Sequence, residues 1–400
     1  MQKSSALSPK AMGLHLRSPL ADHARRRLES AEDRYMALYG KEEWAASNMN
    51  VTIHVDPAQK SALVDSFMRR LDRELEAQSE ATRLFQEEAD FSQEQLSFRL
   101  NTHIRAQDLL QPRRGVYIDL EQPDGVRVVW NHMQTDGVGM WNMLRPLFDE
   151  NPPLIPYKHV PPPPIAIPEL LALPSVARRM TWRSRLRKGL ASSELTRGVV
   201  RWDAAHVRGL RDQVRGSFNL VTSALTLMEV FRRHQDRTSL NVGLTAYFPF
   251  LTGRNKYGVL LCRVKRGDLA SIVTQLTKQT RHQILNWGRS AAQSFALRQL
   301  PDGAFTKVVG YYRRQVDVLI SNLPVGTRPI MLDGIPAMIS CHPWELTLPY
   351  YFLLVGTKQE LHVSFTSRYR QDAQFLRCVP APVYGQSAPP EAAAPLAATA

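Results

Sequence analysis

The chain has 400 residues, 44% of them hydrophobic, which is enough for two core-sized units of about 150–200 residues each. It carries 51 basic and 37 acidic residues, and the net charge of +14 favours anionic partners such as nucleic acid, phosphorylated cofactors, acidic proteins or anionic lipid. Three widely spaced cysteines form neither a disulfide framework nor a metal-ligand pattern. No apolar run reaches the roughly 20 residues of a membrane span and no signal peptide is recognisable, so a soluble cytoplasmic protein is expected.

The first half of the chain predicts strands alternating with helices. Three segments carry the apolar pattern of strands, and one repeats apolar residues at helical spacing after a proline at its first position. A second helical pattern starts at Gly137, so a strand ends at His132 and a helix begins just past Asp136. The predicted strands are 50–55, 95–104 and 114–133, with a hairpin turn at 123–125, and the first helix is 57–78.

A proline-rich stretch at 152–168 separates two similar α/β patterns. Proline lacks a backbone donor, so this stretch cannot form a helix or a central strand and predicts an extended connector. The basic run 178–189 that follows is either a solvated surface or a landing patch for phosphates or an acidic partner. The predicted organisation is a first half at 1–150, a linker at 151–177, a second half at 178–379 and a disordered tail at 380–400.

The second half repeats the strand and helix signals. Asp203 caps a predicted helix, while Asp302-Gly303 and Asp333-Gly334 are interpreted as turns. The predicted strands are 198–203, 240–250, 257–266, 316–324, 349–358 and 360–369, and the helices are 204–214, 219–234 and 268–296. Seven histidines show no metal-ligand spacing and are expected at the surface or as filler: His103, His159, His206, His234, His282, His342 and His362.

The segment WNHMQTDGVGMWNML (130–144) carries the strongest chemical signal. A histidine at a strand end can project into a cleft, and its ordinary pKa near 6.5 suits proton transfer at neutral pH. Asp136 can cap the helix or pair with a distant arginine. Gly137 allows the backbone of the tight turn a wider range of conformations than other residues do. The motif contains no serine or cysteine nucleophile, which favours general-base transfer without a covalent intermediate. The alternative is a structural histidine beside a capping aspartate.

Three segments carry a resemblance to a known family. HMQTDGVGMWNMLRPLFD (132–149) resembles the active-site segment of the CoA-dependent acyltransferase superfamily, which includes chloramphenicol acetyltransferase, the plant BAHD enzymes, condensation domains and wax ester synthases. DVLISNLPVGTRPIMLDG (317–334) resembles the late SN-x-P-G-P segment of wax ester synthases and alcohol acyltransferases, the most similar branch. The segment 202–234 resembles the helix pair that opens their second half. The matches keep their order over about residues 50–375.

The resemblance implies an α/β fold of two chloramphenicol acetyltransferase-like halves. Each half is a mixed sheet flanked by helices, and an active-site tunnel lies at their interface. Donor and acceptor would enter this tunnel from opposite sides. The resemblance implies no metal and no permanently bound cofactor. The donor would be acyl-CoA or a phosphopantetheine thioester on an acidic acyl carrier protein, and the acceptor a small alcohol or amine. One chain supplies both halves, so a monomer is expected.

The resemblance also implies residue roles. His132 would be the general base, and Asp136 would pair with an arginine, for which Arg83 is the candidate and a surface position the alternative. Gly137 would let substrate approach closely. Ser321 and Asn322 would face the tunnel, where either could stabilise an oxyanion. The alternative for Asn322 is a strand-end side chain that bonds its own backbone.

Departures from the family pattern keep other functions open. Many relatives have two histidines in the motif, but here the first is Asn131, and Asn219-Leu220 replaces a frequent Asn-Asp. One alternative is therefore a non-catalytic, condensation-domain-like protein that binds a carrier protein in a biosynthetic assembly. Nucleic-acid binding has only the positive charge in its favour, and no recognition motif is present. A dihydrolipoamide-type acyltransferase is disfavoured, because about 260 residues follow the motif instead of a few.

Overall fold

The structure, a computed structural model, contains two mixed β-sheets flanked by helices. It describes residues 48–77, 97–100, 115–120, 122–132, 136–149, 184, 186, 195–247, 257–285, 300–324, 330–343, 348–356, 359–371 and 374–377. The helices are α1 (Lys60–Ala77), α2 (Gly137–Leu144), α3 (Ala204–Val214), α4 (Phe218–Arg233), α5 (Leu269–Leu285) and α6 (Asp302–Arg313). The strands are β1 (Asn48–His54), β2 (Ser97–Leu100), β3 (Gly115–Asp119), β4 (Gly125–Asn131), β5 (Thr196–Asp203), β6 (Ser239–Tyr247), β7 (Tyr257–Lys265), β8 (Val318–Pro324), β9 (Met331–Leu332), β10 (Ile335–Pro336), β11 (Met338–Pro343), β12 (Tyr350–Gly356) and β13 (Glu360–Ser367).

The first sheet has the strand order β11-β1-β4-β3-β2, in which the β2–β3 pair is parallel and the other pairs are antiparallel. Ile53 and Val128 share the face that forms the first core, because alternate residues of a strand point to the same side. Helix α1 covers this face with an apolar stripe in which Leu63, Phe67 and Leu71 are at most 3% exposed. The first core therefore lies between this sheet, α1 and α2.

The second sheet has the strand order β5-β13-β12-β8-β6-β7, and its β12–β8 and β8–β6 pairs are parallel. One face packs against α3, α4 and α5 to form the second core, which includes Val318 and Ile320 of β8. Asp203 caps α3 as predicted, with its carboxylate accepting the Ala205 N–H at 2.7 Å. The opposite face carries Leu319 and Leu323, which pack against the first core. This face of β8 therefore looks toward the first half.

Strand β11 joins the two sheets although it comes from the second half of the sequence. It pairs with β1, and its backbone N–H groups at Ile339 and Cys341 donate to His362 Nδ1 (3.1 Å) and Ser364 Oγ (3.0 Å) of β13. A backbone N–H can only donate, so Nδ1 of His362 is unprotonated and its Nε2–H donates to Glu360 at 3.1 Å. Side-chain acceptors thus take the place of a further strand at the edge of the first sheet.

A second connection runs through His54 of β1. Its Nδ1 lies 2.7 Å from the Asp124 carboxylate, and its Nε2 lies 2.7 Å from Ser340 Oγ on β11. A neutral His54 that donates to Asp124 accepts the Ser340 hydroxyl proton. Ser340 is fully buried and Asp124 is half-exposed. The three groups form a hydrogen-bonded chain from the β3–β4 hairpin to β11.

The hydrogen bonds that link Asp124, His54 and Ser340 predict a pH-dependent contribution to the free energy of unfolding. The hydrogen bond from His54 lowers the pKa of Asp124 below its ordinary value of 3.8. A lowered carboxyl pKa means that the stabilisation is full above pH 3.8 and is lost as the pH falls through the folded-state pKa. We expect Asp124→Asn to lower the free energy of unfolding by about 0.5–1 kcal/mol at neutral pH, as for a partly exposed pair. Urea denaturation should show this difference shrinking below pH 3.8, and a difference that grows with acidity would contradict the assignment.

The predicted mixed α/β fold is confirmed, and most predicted elements lie within a few residues of their expected ends. Asp333-Gly334 is a turn, with positive φ angles of 49° and 77°. The interpretation of Asp302-Gly303 as a turn is wrong, because these residues begin α6. Of the histidines expected at the surface or as filler, His342 and His362 are filler, since they are only 6% and 1% exposed. In the described ranges, no helix is both long and apolar enough to cross a membrane.

Candidate active site

His132 lies where β4 ends and the chain turns toward α2. It is half-buried, and its Nδ1 atom is shielded from solvent. Trp130, two residues earlier on β4, is 1% exposed and anchors the strand in the first core. Strand and helix are thus both fixed by burial, and the histidine is held on the short connection between them. The predicted strand end and helix start are confirmed.

Asp136 caps the N-terminus of α2. It is 2% exposed, and its Oδ1 accepts the N–H groups of Val138 (3.0 Å) and Gly139 (2.9 Å). These are donors that the first turn of a helix cannot satisfy internally. The structure thus shows the capping role, while the predicted pairing with an arginine stays a prediction. Arg83, the predicted ion-pair partner, lies outside the described residues.

Gly137 is the first residue of α2 and has open space beside it. A Cβ built on Gly137 meets no atom of the described residues within 4 Å, and its backbone does not need positive φ. The described residues therefore place no steric barrier to a Cβ at this position. The space lies at the same helix terminus as His132.

Filling this space should reduce activity without unfolding the protein. We expect Gly137→Leu to keep the thermal unfolding midpoint, because helix α2 tolerates the side chain, and to lower the turnover of a reaction that uses His132 at least tenfold. Gly303→Leu is the matched control, since Gly303 also stands in the first turn of a helix with no atom of the described residues within 4 Å of its Cβ. Equal turnover for the two variants would show that the space beside Gly137 is not used.

Ser321 and Asn322 point to opposite faces of β8. Neighbouring residues of a strand alternate in direction, so Ser321 shares the face of Leu319 and Leu323, which pack against the first core. Asn322 shares the face of Ile320, which belongs to the second core. The prediction treated the two as equivalent. The structure instead favours Ser321 as the residue directed toward the first half.

A cluster of hydroxyl groups surrounds Ser321. Its Oγ lies 3.0 Å from Thr245 Oγ1 on β6, and it also interacts with the Tyr351 hydroxyl from β12. Burial raises the pKa of Tyr351 well above its ordinary value of 10.0, so this phenol stays protonated. A protonated Tyr351 can donate to Ser321, which leaves the serine proton for another acceptor. Sequence reasoning missed Thr245 and Tyr351, because they come from two other strands.

Four other histidines of the described ranges are engaged in packing. Both ring nitrogens of His54 and of His362 are bonded, as described for the contacts with β11. His234 Nε2 lies 2.8 Å from the Tyr350 hydroxyl, and burial lowers the pKa of this histidine. His342 Nδ1 lies 3.0 Å from Thr366, and burial lowers its pKa to about 3. These four histidines hold the sheets together, which makes them poor candidates for proton transfer to a ligand.

The described cysteines and metal-binding side chains are weak alternatives to His132 as the reactive group. Burial raises the pKa of the Cys341 thiol to about 12, so this cysteine is a neutral thiol at physiological pH. Cys262 is fully buried in the second core. Among the described residues, no group of three or more His, Cys, Asp or Glu is arranged to hold a metal ion. Among the described residues, the His132 imidazole and the Ser321 hydroxyl cluster therefore remain the candidate polar groups for binding a ligand.

No protein-family model matches the sequence, and no curated protein sequence matches it. Several solved structures align with it over most of their length. A wax ester synthase/diacylglycerol acyltransferase from Marinobacter aquaeolei VT8 is 16% identical over 80% of this chain and 88% of that one, with a TM-score of 0.42. A mutant starter condensation domain of rhizomide synthetase, in complex with C8-CoA and Leu-SNAC, is 12% identical over 85% and 88%, with a TM-score of 0.47.

The first condensation domain of the CDA synthetase also aligns, at 12% identity over 88% of this chain and 92% of that one, with a TM-score of 0.47. Wax ester synthases and condensation domains are among the proteins that the sequence motifs resemble. Identities of 12–16% do not transfer an activity or a substrate to this chain.

Proposed function

We propose that this protein is an acyltransferase that moves an acyl group from a thioester to a hydroxyl or amine acceptor. One observation carries the proposal: His132 is held between the end of a buried strand and a helix whose first turn is fixed by the buried carboxylate of Asp136. A general base needs such fixed placement, because proton transfer requires hydrogen-bond contact with the reacting group.

The reaction can be written with His132 as the proton carrier. The imidazole takes the proton of the acceptor O–H or N–H while the acceptor heteroatom bonds to the thioester carbonyl carbon. The tetrahedral intermediate collapses by breaking the carbon–sulfur bond. The imidazolium then returns the proton to the departing thiolate, so the products are an ester or amide and a free thiol. No acyl-enzyme forms in this sequence.

Ser321 is proposed to stabilise the negative charge on the carbonyl oxygen. Its hydroxyl lies on the face of β8 directed toward the first half, and the protonated Tyr351 beside it can act as a donor to Ser321. The positive end of the α2 dipole adds a favourable potential at the same end of the helix as His132. For Asn322 we propose no role in catalysis, because its side chain lies on the face of β8 that packs in the second core.

The donor is proposed to be acyl-CoA or a phosphopantetheine thioester on an acidic carrier protein. Both donors are anionic, and the net charge of +14 favours their approach. The acceptor is proposed to be a small alcohol or amine. Both sheets come from one chain, so a monomer is proposed to be sufficient.

Free-thiol release from a panel of acyl-CoAs tests this function. The intact protein is incubated with short to long acyl-CoAs, with and without simple alcohol and amine acceptors. Acceptor-dependent thiol release with formation of the matching ester or amide is expected. Release that does not depend on an acceptor would indicate a thioesterase. The absence of release and of transfer, with both acyl-CoA and acylated carrier protein, would favour a non-catalytic docking protein.

A further inference from the structure

A groove of about 460 Å³ lies on the outer face of the second half, between the C-terminal end of α3 and one side of α5. Its apolar lining comes from Val214 and Val273, of which Val273 is 2% exposed and belongs to the second core. The polar lining comes from Arg215, Lys278 and Arg281 and from two threonines of α5. The helices of this layer pack on the second core, whereas His132 belongs to the first half, so the groove is separate from the candidate active site.

The three cations of the groove have no partner in the part of the chain that the structure describes. Arg215, Lys278 and Arg281 are exposed and make no ion pair or side-chain hydrogen bond there. None of the described residues that line the groove is acidic. By contrast, Arg211 is paired with Asp212 (2.6 Å) and Arg232 with Glu229 (2.6 Å). The groove is therefore a local concentration of uncompensated positive charge.

Arg215 occupies a backbone position that normally favours glycine. It is the C-cap of α3, with φ 52° and ψ 40°, in the left-handed region. Side chains other than glycine are strained in this conformation. A glycine does follow, but Gly216 is required for packing, because a Cβ there would lie 2.7 Å from Val273. The strained position thus holds an arginine at the rim of the groove, which points to a use for its side chain.

The α5 side of the groove is a stripe along one helix face. Thr274, Thr277, Lys278 and Arg281 follow the spacing i, i+3, i+4 and i+7, so they share one face over two turns, about 10 Å. An elongated partner lying along α5 could contact the cations in succession while its apolar side covers the valines. A single phosphate needs converging donors, whereas this arrangement is linear.

We infer that this groove docks an acidic amphipathic helix of a partner protein. The inference rests on the proposed function in one respect: the partner is the acidic carrier protein that presents the acyl thioester. Charge complementarity favours this occupant over a second copy of the chain, because each copy has a net charge of +14. A nucleic acid is disfavoured, since the groove offers two turns of helix and an apolar floor, and none of its described lining residues has an aromatic side chain for base stacking.

Binding of carrier proteins without their phosphopantetheine arm tests the inference. Fluorescently labelled apo forms of an acyl carrier protein and a peptidyl carrier domain are titrated with the full chain at low salt, and anisotropy is followed. The groove variant combines Arg215→Glu, Lys278→Glu and Arg281→Glu. The control combines Arg73→Glu, Lys307→Glu and Arg314→Glu, which changes the net charge equally at exposed cations away from the groove.

We expect at least tenfold weaker binding for the groove variant than for the control, and a loss of affinity with added salt. Thermal unfolding of both variants should match that of the unmodified protein, because all six side chains are exposed. Equal binding by both variants, no binding of either carrier to the unmodified protein, or tighter groove-dependent binding of duplex DNA would each overturn the inference. The assay contains no thioester, so its outcome is independent of whether His132 catalyses acyl transfer.

Discussion

A His132→Ala protein is expected to lose acyl transfer by a factor of about 10²–10⁴, the usual contribution of a positioned general base. The imidazole is the proton acceptor of the proposed reaction, and the segment that carries it offers no serine or cysteine as a substitute. The loss should appear in kcat, with KM for the donor little changed, because the base acts on the acceptor proton in the transition state. Initial rates of thiol release at saturating acceptor measure this effect.

His132→Gln is the matched control for this experiment. Glutamine keeps a polar side chain of similar size at the connection between β4 and α2 but cannot accept a proton at neutral pH. Both variants should unfold at the temperature of the unmodified protein, since His132 is only half-buried. A variant that keeps more than a tenth of the turnover would contradict the assignment of His132 as the base.

The largest effect on stability is expected from Asp317→Ala. Asp317 is fully buried immediately before β8, and its carboxylate accepts the Ser184 hydroxyl (2.5 Å) and the N–H groups of Leu186 (3.0 Å) and Asn241 (2.8 Å). Alanine would leave two buried N–H donors and one part-buried hydroxyl without their acceptor. Each unsatisfied buried donor costs about 1–3 kcal/mol, so a loss of at least about 2 kcal/mol in the free energy of unfolding is expected.

Urea denaturation of Asp317→Ala and Asp317→Asn separates the effect of losing the carboxylate acceptor from the effect of losing side-chain volume. Asparagine keeps one acceptor oxygen, so its loss of stability should be smaller than that of alanine. Thiol release should also fall in Asp317→Ala, because β8 carries Ser321 four residues further on. A change in unfolding free energy below about 1 kcal/mol for alanine would show that the three hydrogen bonds are dispensable.

The sequence predicts those parts of the fold in which local chemistry and periodicity agree. The start of α2 is an example, because Asp136 provides the cap and the apolar spacing changes at the next residue. Helix α6 was missed because Asp302-Gly303 has the composition of a turn. Strand β11 was missed because its stability comes from pairing with β1, which is far away in the sequence, as the 292-residue separation of Asn50 and His342 illustrates. Local patterns carry no information on such pairings.

The candidate site also combines residues that the local sequence predicts with residues that only the fold brings together. His132 and Asp136 lie in one short segment, so their relation was visible in the sequence. The choice between Ser321 and Asn322 needed the direction of each side chain on β8, which only packing reveals. Tyr351 and Thr245 reach Ser321 from neighbouring strands, and nothing in their local sequence marks them as part of a site.

The central claim is direct transfer of an acyl group by the His132 site, and single-turnover transfer of a labelled acyl group tests it most directly. Excess protein is mixed with isotopically labelled acyl-CoA and the acceptor identified from the panel, and quenched samples are measured by intact-mass spectrometry. We predict that the label passes to the acceptor with one equivalent of free thiol, that no acylated protein forms at any time, and that His132→Ala forms product about 10²–10⁴-fold more slowly. A labelled protein intermediate, or equal product formation by His132→Ala, would contradict the account.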